Sequence, residues 1–207
     1  LISTHPEHRD VWLWLIPFAD GVASLGVVGE PARLEALGDN PEAMLRAAVA
    51  DVPLLARFLQ NADWNTGMPV RSLRNYSANV STLYGDHFAL LGNASEFLDP
   101  VFSSGVTVAV VSSQLAAAAL DRQLRGEAVD WQRDYAKRLA GGVEAFKTYV
   151  LGWYDGSFQD VIYASEDNPE IRAMICAILA GYAWDTDNPY VEKPQRRLAA
   201  LAEVVRG

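Results

Sequence analysis

Residues 90–106 concentrate side chains that could hold a small anion or a ring edge. The stretch reads Leu-Leu-Gly-Asn-Ala-Ser-Glu-Phe-Leu-Asp-Pro-Val-Phe-Ser-Ser-Gly-Val: an apolar run, a break at Gly92, then small residues opening a long apolar segment. A helix N-terminus carries unpaired backbone N–H groups and the positive end of the helix dipole. Ser103, Ser104 and Gly105 would present those groups with little steric obstruction, and Gly105 lets a ligand approach the backbone closely. An isolated Ser-Ser-Gly reads equally as a plain helix cap. A second candidate is Trp12-Leu13-Trp14-Leu15-Ile16-Pro17, whose alternate Trp residues would cover one face of a strand. His5 and His8 have a spacing that could share a metal on a helix, but Pro6 between them argues for a loop, and no metal is assigned. Cys176, within Ile175-Cys-Ala-Ile-Leu179, reads as a small core residue and His87 as a surface or strand-start residue. Glu127, Asp130, Asp134, Asp185 and Asp187 read as caps or solvated faces.

The elements that must position these residues follow from periodicity and punctuation. Residues 11–16 and 22–28 are rich in strand formers and flank Ala19-Asp20-Gly21, which predicts a hairpin closed by Pro17. Asn40 before Pro41 and Glu42 predicts a capped helix, and Pro53 starts another that runs through Leu59. Residues 68–76 read as extended. Gly85-Asp86 turns into a short buried strand, 87–91, that ends at Gly92. A helix is expected from about Ser104 to Arg125, with Gly126 at its C-terminal end. Asp130 can cap the next one, in which Trp131, Tyr135, Leu139, Val143, Phe146, Val150 and Trp153 recur at helical spacing and read as core. Residues 169–184 and 194–205 complete the helices. The fold class is α+β, a few antiparallel strands followed by a helical C-terminal half. Its expected division is a strand-containing portion, 1–100, and a helical region, 101–207.

Composition narrows the functional classes. The chain has 207 residues, half of them hydrophobic, with 17 Lys+Arg against 26 Asp+Glu and a formal charge of −9. Such a chain can bury a core and is not disordered. Its acidity argues against nucleic-acid binding, and Cys176, the single cysteine, excludes a disulfide framework. Residues 106–120 read as too short and too polar to span a bilayer, which leads to the expectation of a cytoplasmic protein with no membrane partner. The chain opens at Leu1 without Met, which suggests a piece of a longer protein.

Residues 92–106 resemble the flavin-contacting motif of FAD-dependent halogenases. That motif reads Gly-Asp-Ala, two variable residues, Phe, Ile or Leu, Asp-Pro, Leu or Val, then Phe-Ser-Ser-Gly-Val. Asn93 for Asp is the one departure at a defining position. Residues 12–17 match the Trp-x-Trp-x-Ile-Pro signature of the same family, and Arg74-Asn75-Tyr76-Ser77 looks like the strand before its Gly-Asp motif. The resemblance implies the C-terminal portion of an FAD/NAD(P)-binding monooxygenase-like fold lacking its N-terminal Rossmann segment. No Gly-x-Gly-x-x-Gly occurs in the chain.

Carried over by position, the resemblance places Gly92 and Asn93 at the ribityl and pyrophosphate portion of FAD. Pro100, Ser103, Ser104, Gly105 and Val106 fall at the flavin pyrimidine edge. It places a chloride or bromide at the Ser104 and Gly105 backbone, and puts Trp12, Trp14, Ile16 and Pro17 along the substrate passage. An Asn at position 93 keeps one acceptor oxygen and adds a donor. The family's catalytic lysine belongs to the other half, and Lys137, Lys147 and Lys193 have no motif context. Phe102 and Ser103 stand where tryptophan-type halogenases carry a Glu. This favours a phenolic or pyrrolic substrate, often tethered to a carrier protein, with a separate flavin reductase as partner. Two other readings stay open: a non-halogenating flavin monooxygenase or reductase of the same superfamily, and a non-catalytic helical interaction module.

Overall fold

The computed structural model describes residues 1–165 and 168–207, which divide into two compact units, Leu1–Arg74 and Asn75–Gly207. The expected division near residue 100 followed strand content. The observed units instead leave the short strands after residue 74 with the helices.

In the first unit, β2 (Trp12–Pro17) and β3 (Ala23–Val28) form the expected antiparallel hairpin, with Pro17 opposite Ala23 at the turn end. Asp20 Oδ1 accepts from the Val22 N–H at 3.1 Å, and Gly21 takes φ +85°, which a side chain would resist. A further strand, β1 (Ile2–Thr4), pairs with β2 and was not foreseen, being too short to show a pattern. Alternation sends Leu13, Leu15, Leu25 and Val27 to one face, against Leu45, Val49 and Leu55 of the helices. Leu45 and Val49 belong to α2 (Pro41–Ala50) and Leu55 to α3 (Pro53–Leu59), while α1 (Pro31–Glu35) precedes them. Asn40 caps α2 as expected, its Oδ1 accepting from the Ala43 N–H at 3.0 Å. Residues 68–76 form no strand, nor do residues 74–77. Asn75 sits at φ +54°, a left-handed conformation that breaks an extended ladder.

In the second unit, β4 (Ala78–Asn79) pairs with β7 (Glu96–Phe97), and β5 (Tyr84–Gly85) with β6 (Phe88–Ala89). The buried strand expected over 87–91 is therefore only two residues long, and Phe88 is exposed. A two-stranded ladder has no neighbour to cover that face, so the Phe88 ring lies over Gly85 instead. Short 3₁₀ turns at Gly92–Ala94 and Pro100–Phe102 flank β7 and lead into α4 (Ser104–Leu124). Gly126 at φ +83° closes α4 as its sequence position predicts. Asp130 Oδ1 accepts from the Arg133 N–H at 3.0 Å, then a π-helical turn, Gln132–Ala136, runs into α5 (Lys137–Tyr154). Tyr135, Leu139 and Val143 pack on Val108, Leu115 and Ala116 of α4, so the aromatic stripe is core as expected.

Helices α6 (Ser157–Ile162), α7 (Pro169–Leu179), α8 (Pro189–Glu192) and α9 (Pro194–Arg206) complete the unit. α7 stops short of the expected Trp184 because Gly181 turns at φ +108°. Cys176 is exposed, not core: Ile175 and Ile178 occupy the buried side of α7. α4 spans 21 residues, as expected, and is long and apolar enough to cross a membrane by length and composition alone, a test that the core helices of soluble proteins also pass. Here its Val108–Leu115 side is packed within the second unit.

Candidate functional site

Two limbs of chain, 90–93 and 99–103, and the first turns of α4 enclose a cleft of about 610 Å³. The first limb is fixed by backbone bonds to buried hydroxyls. Leu90 donates its N–H to the Leu83 carbonyl at 2.9 Å and accepts at its own carbonyl from the Tyr135 hydroxyl. Gly92 donates to Ser112 Oγ on α4 at 2.9 Å, while its carbonyl accepts from the Ser95 N–H at 2.9 Å and the Ser95 hydroxyl at 2.6 Å. Ser95 and Ser112 are fully buried, so these bonds are shielded from water. Only glycine suits position 92. Its φ is +52°, and an added Cβ would stand 3.0 Å from the Ala109 Cβ.

The second limb turns on Asp99. Its Oδ1 accepts from the Val101 N–H at 2.9 Å and closes the Pro100–Phe102 turn, while its Oδ2 accepts from the Tyr154 hydroxyl at 2.8 Å. Burial pushes the Asp99 carboxyl above the usual carboxylate range, and the two hydrogen bonds pull it part of the way back. The Tyr76 phenol, edge-on to Phe97, is pushed up to about 12 by burial and by the Asp99 charge. Ser103 follows at φ +52°, left-handed without being glycine. Its side chain makes no cap, so the plain-cap reading of Ser103 fails, and α4 begins with its first N–H groups free of any side-chain cap at that residue.

Gly92, Asn93, Pro100, Ser103, Gly105 and Val106 all line the cleft; among the residues the sequence singled out for flavin contact, only Ser104 does not, its side chain being buried. A Cβ on Gly105 would sit 3.5 Å from both Asn93 Oδ1 and the Phe97 ring, projecting into the gap between the limbs. The volume is that of a small-molecule site. Small residues, an amide oxygen and an uncapped helix start suit a planar, electron-rich group with hydroxyls, and FAD fits that description. Sequence reading missed Ser95, Ser112, Tyr135 and Tyr154, whose partners lie far away in the chain or had no motif.

In the first unit, Trp12 is buried and Trp14 half-buried, with the Trp14 ring over Gly26 and its Nε1–H donating to Ser24 Oγ at 3.0 Å. Ile16 and Pro17 are exposed. A second cleft of about 640 Å³ there holds His5, His8 and Arg33. There His5 Nδ1 accepts from the Glu7 and His8 N–H groups, Arg33 Nη1 lies 3.0 Å from His8 Nδ1, and Arg33 Nε faces Asp10 Oδ2 at 3.3 Å.

No family model matches the chain. A flavin-dependent halogenase of Penicillium aethiopicum is 30% identical over 148 residues, 68% of this chain and 27% of the relative. A 1H-pyrrole-2-carbonyl-[peptidyl-carrier protein] chlorinase of Pseudomonas fluorescens is 24% identical over 198 residues, 94% of this chain and 43% of the relative. A crystal structure of a flavoprotein/dehydrogenase from Cytophaga hutchinsonii superposes with a TM-score of 0.90 at 39% identity, covering 96% of this chain and 48% of that one. The chain thus spans less than half the length of each of these proteins.

Proposed function

Since this chain is kin to the FAD-dependent halogenase-like flavoproteins, we propose that its 90–106 cleft holds the flavin of an FAD-dependent oxidoreductase that halogenates an aromatic substrate. The observation that carries the reading is the convergence of Gly92, Asn93, Pro100, Ser103, Gly105 and Val106 on one cleft. Bound FAD would supply the activation of oxygen that oxidises a halide. The chain's own contribution is positioning and electrostatics. Asn93 Oδ1 accepts from a ribityl hydroxyl, and its amide N–H₂ adds a donor. Gly105 leaves room for the ring edge, and the start of α4 favours negative charge there by about 0.3–1 kcal/mol at an exposed site, more if desolvated. A chloride or bromide would sit on the backbone N–H groups of Ser104 and Gly105.

On the same reading Trp12, Trp14, Ile16 and Pro17 border the substrate passage, a role that rests on their signature. The substrate is a phenol or a pyrrole, and similarity to a carrier-protein chlorinase supports a carrier-tethered form. Reduced flavin comes from a separate reductase, and the protein works in the cytoplasm.

The test is the full-length protein with FAD, a flavin reductase, oxygen and chloride or bromide, assayed by mass spectrometry against phenolic and pyrrolic substrates. Halogenated product supports the proposal, while hydroxylated product or flavin oxidation alone refutes it. The 207-residue chain by itself binds FAD weaker than about 1 μM on this reading, because the adenosine site lies elsewhere. A second reading is favoured by the 39% identity to a flavoprotein/dehydrogenase and by Asn93: a flavin oxidoreductase without halide chemistry. Turnover that is indifferent to halide would select it.

A further inference from the structure

We infer that the continuous helix formed by the π turn and α5 is the positioning element of the cleft, acting through two phenols, Tyr135 and Tyr154, each of which clamps one limb. The inference rests on the flavin reading and extends it to residues outside the motif. Tyr135 is fully buried, and its hydroxyl donates to the carbonyl of Leu90, at the entry to the Gly92 limb. Tyr154, at the far end of the same helix, donates to Asp99 Oδ2 at 2.8 Å. Asp99 passes the constraint on through Oδ1 to the Val101 N–H, and so to the turn that ends at Ser103. The two limbs that line the cleft are thereby tied to one rod by hydroxyls, and Phe102 of the second limb also meets Trp153 of α5 edge-on, with ring centroids 5.7 Å apart.

Tyr135 lies inside the π turn and packs with Leu139 and Val143 of α5 against α4, while its hydroxyl reaches past that core to the Leu90 carbonyl. Cleft and core are therefore served by one helix. Neither phenol lines the cleft, so both are positioning residues. Tyr→Phe substitution removes the hydroxyl and leaves the packed ring.

The test uses Y135F and Y154F, each read by site-resolved amide exchange in the 207-residue chain and by FAD binding to the full-length protein. A hydrogen bond is worth a small net amount, so losing one clamp is expected to speed exchange about two- to tenfold on its own limb. In Y154F the Val101 amide is the reporter. In Y135F it is the amides of Gly92 and Ser95. The amides of α9 keep their wild-type rates. FAD affinity falls by a similar factor in each variant, and the visible absorption band of the bound flavin shifts. Unchanged exchange at the reporters, or equal acceleration through the whole second unit, overturns the inference. So does local acceleration with FAD affinity and spectrum unaltered. If the wild-type protein binds no FAD while the reporters respond as expected, the flavin reading fails and the clamps stand.

Discussion

Gly92→Ala perturbs the cleft at its tightest point. An alanine there must adopt φ +52°, which is worth about 1–2 kcal/mol against a residue with a Cβ. Its Cβ must also stand 3.0 Å from the Ala109 Cβ and 3.3 Å from the Ala109 Cα, so α4 or the limb has to yield by a few tenths of an ångström. Overpacking of that kind costs about 1 kcal/mol or more. The reduced freedom of the unfolded chain gives back about 0.4–1 kcal/mol. The net loss is then about 2 kcal/mol, which lowers the melting temperature by about 4–8 °C in a chain of this size. Gly126→Ala is the control: φ is +83° there but nothing lies within 4 Å of its Cβ, so only the conformational part applies. Ala109→Gly in the Gly92→Ala background removes the closer, 3.0 Å contact and leaves the one to the Cα at 3.3 Å, so it should recover up to about 1 kcal/mol in a double-mutant cycle. Thermal unfolding followed by helical circular dichroism measures these three variants and the Ala109→Gly single variant that closes the cycle. Equal losses in G92A and G126A, or no coupling with A109G, would refute the claim that close approach to α4 fixes this glycine.

Other expectations are simpler. Asn40→Ala deletes the cap on α2 and should destabilise the first unit by about 1 kcal/mol in chemical denaturation. Gly26→Ala would put a Cβ 2.1 Å from the Trp14 ring; the ring must leave its site and lose the bond to Ser24, visible as a red shift in Trp14 fluorescence when the other tryptophans are replaced. Asp99 has a raised pKa in the folded state, so the folded form holds the proton more tightly than the unfolded one. Wild-type stability should therefore fall relative to Asp99→Asn as pH rises above about 4, until the carboxyl ionises in the folded protein, and then level off. A flat difference between the two pH–stability curves would contradict this sign.

Local chemistry was legible in the sequence where neighbours along the chain decide it. The Trp12–Pro17 hairpin, the Asn40 cap, the Pro53 start and the Gly126 end of α4 all rest on residues within a few positions of one another. What escaped depends on distant contacts. Ser112 looked like mere polarity in an apolar helix, yet its hydroxyl holds the Gly92 amide of the other limb. Tyr135 and Tyr154 fell within an aromatic helix that reads as core, and nothing local shows that their hydroxyls reach Leu90 and Asp99. Residues 74–77 failed as a strand because pairing needs a partner, and β7 reaches only Ala78 and Asn79. Cys176 shows the opposite error: an apolar sequence neighbourhood says little about which side of α7 a residue occupies.

The central claim is that FAD lies between the Gly92 and Asp99 limbs, and Gly105→Val tests it most directly. The added Cβ stands 3.5 Å from Asn93 Oδ1 and the Phe97 ring, an ordinary contact distance, and the two γ-methyls of valine add bulk beyond it. FAD titration of the full-length protein should show at least about a tenfold weaker dissociation constant for Gly105→Val, a loss of about 1.4 kcal/mol or more, with the melting temperature of the flavin-free protein unchanged. Wild-type affinity in Gly105→Val would contradict the assignment of this cleft to the flavin.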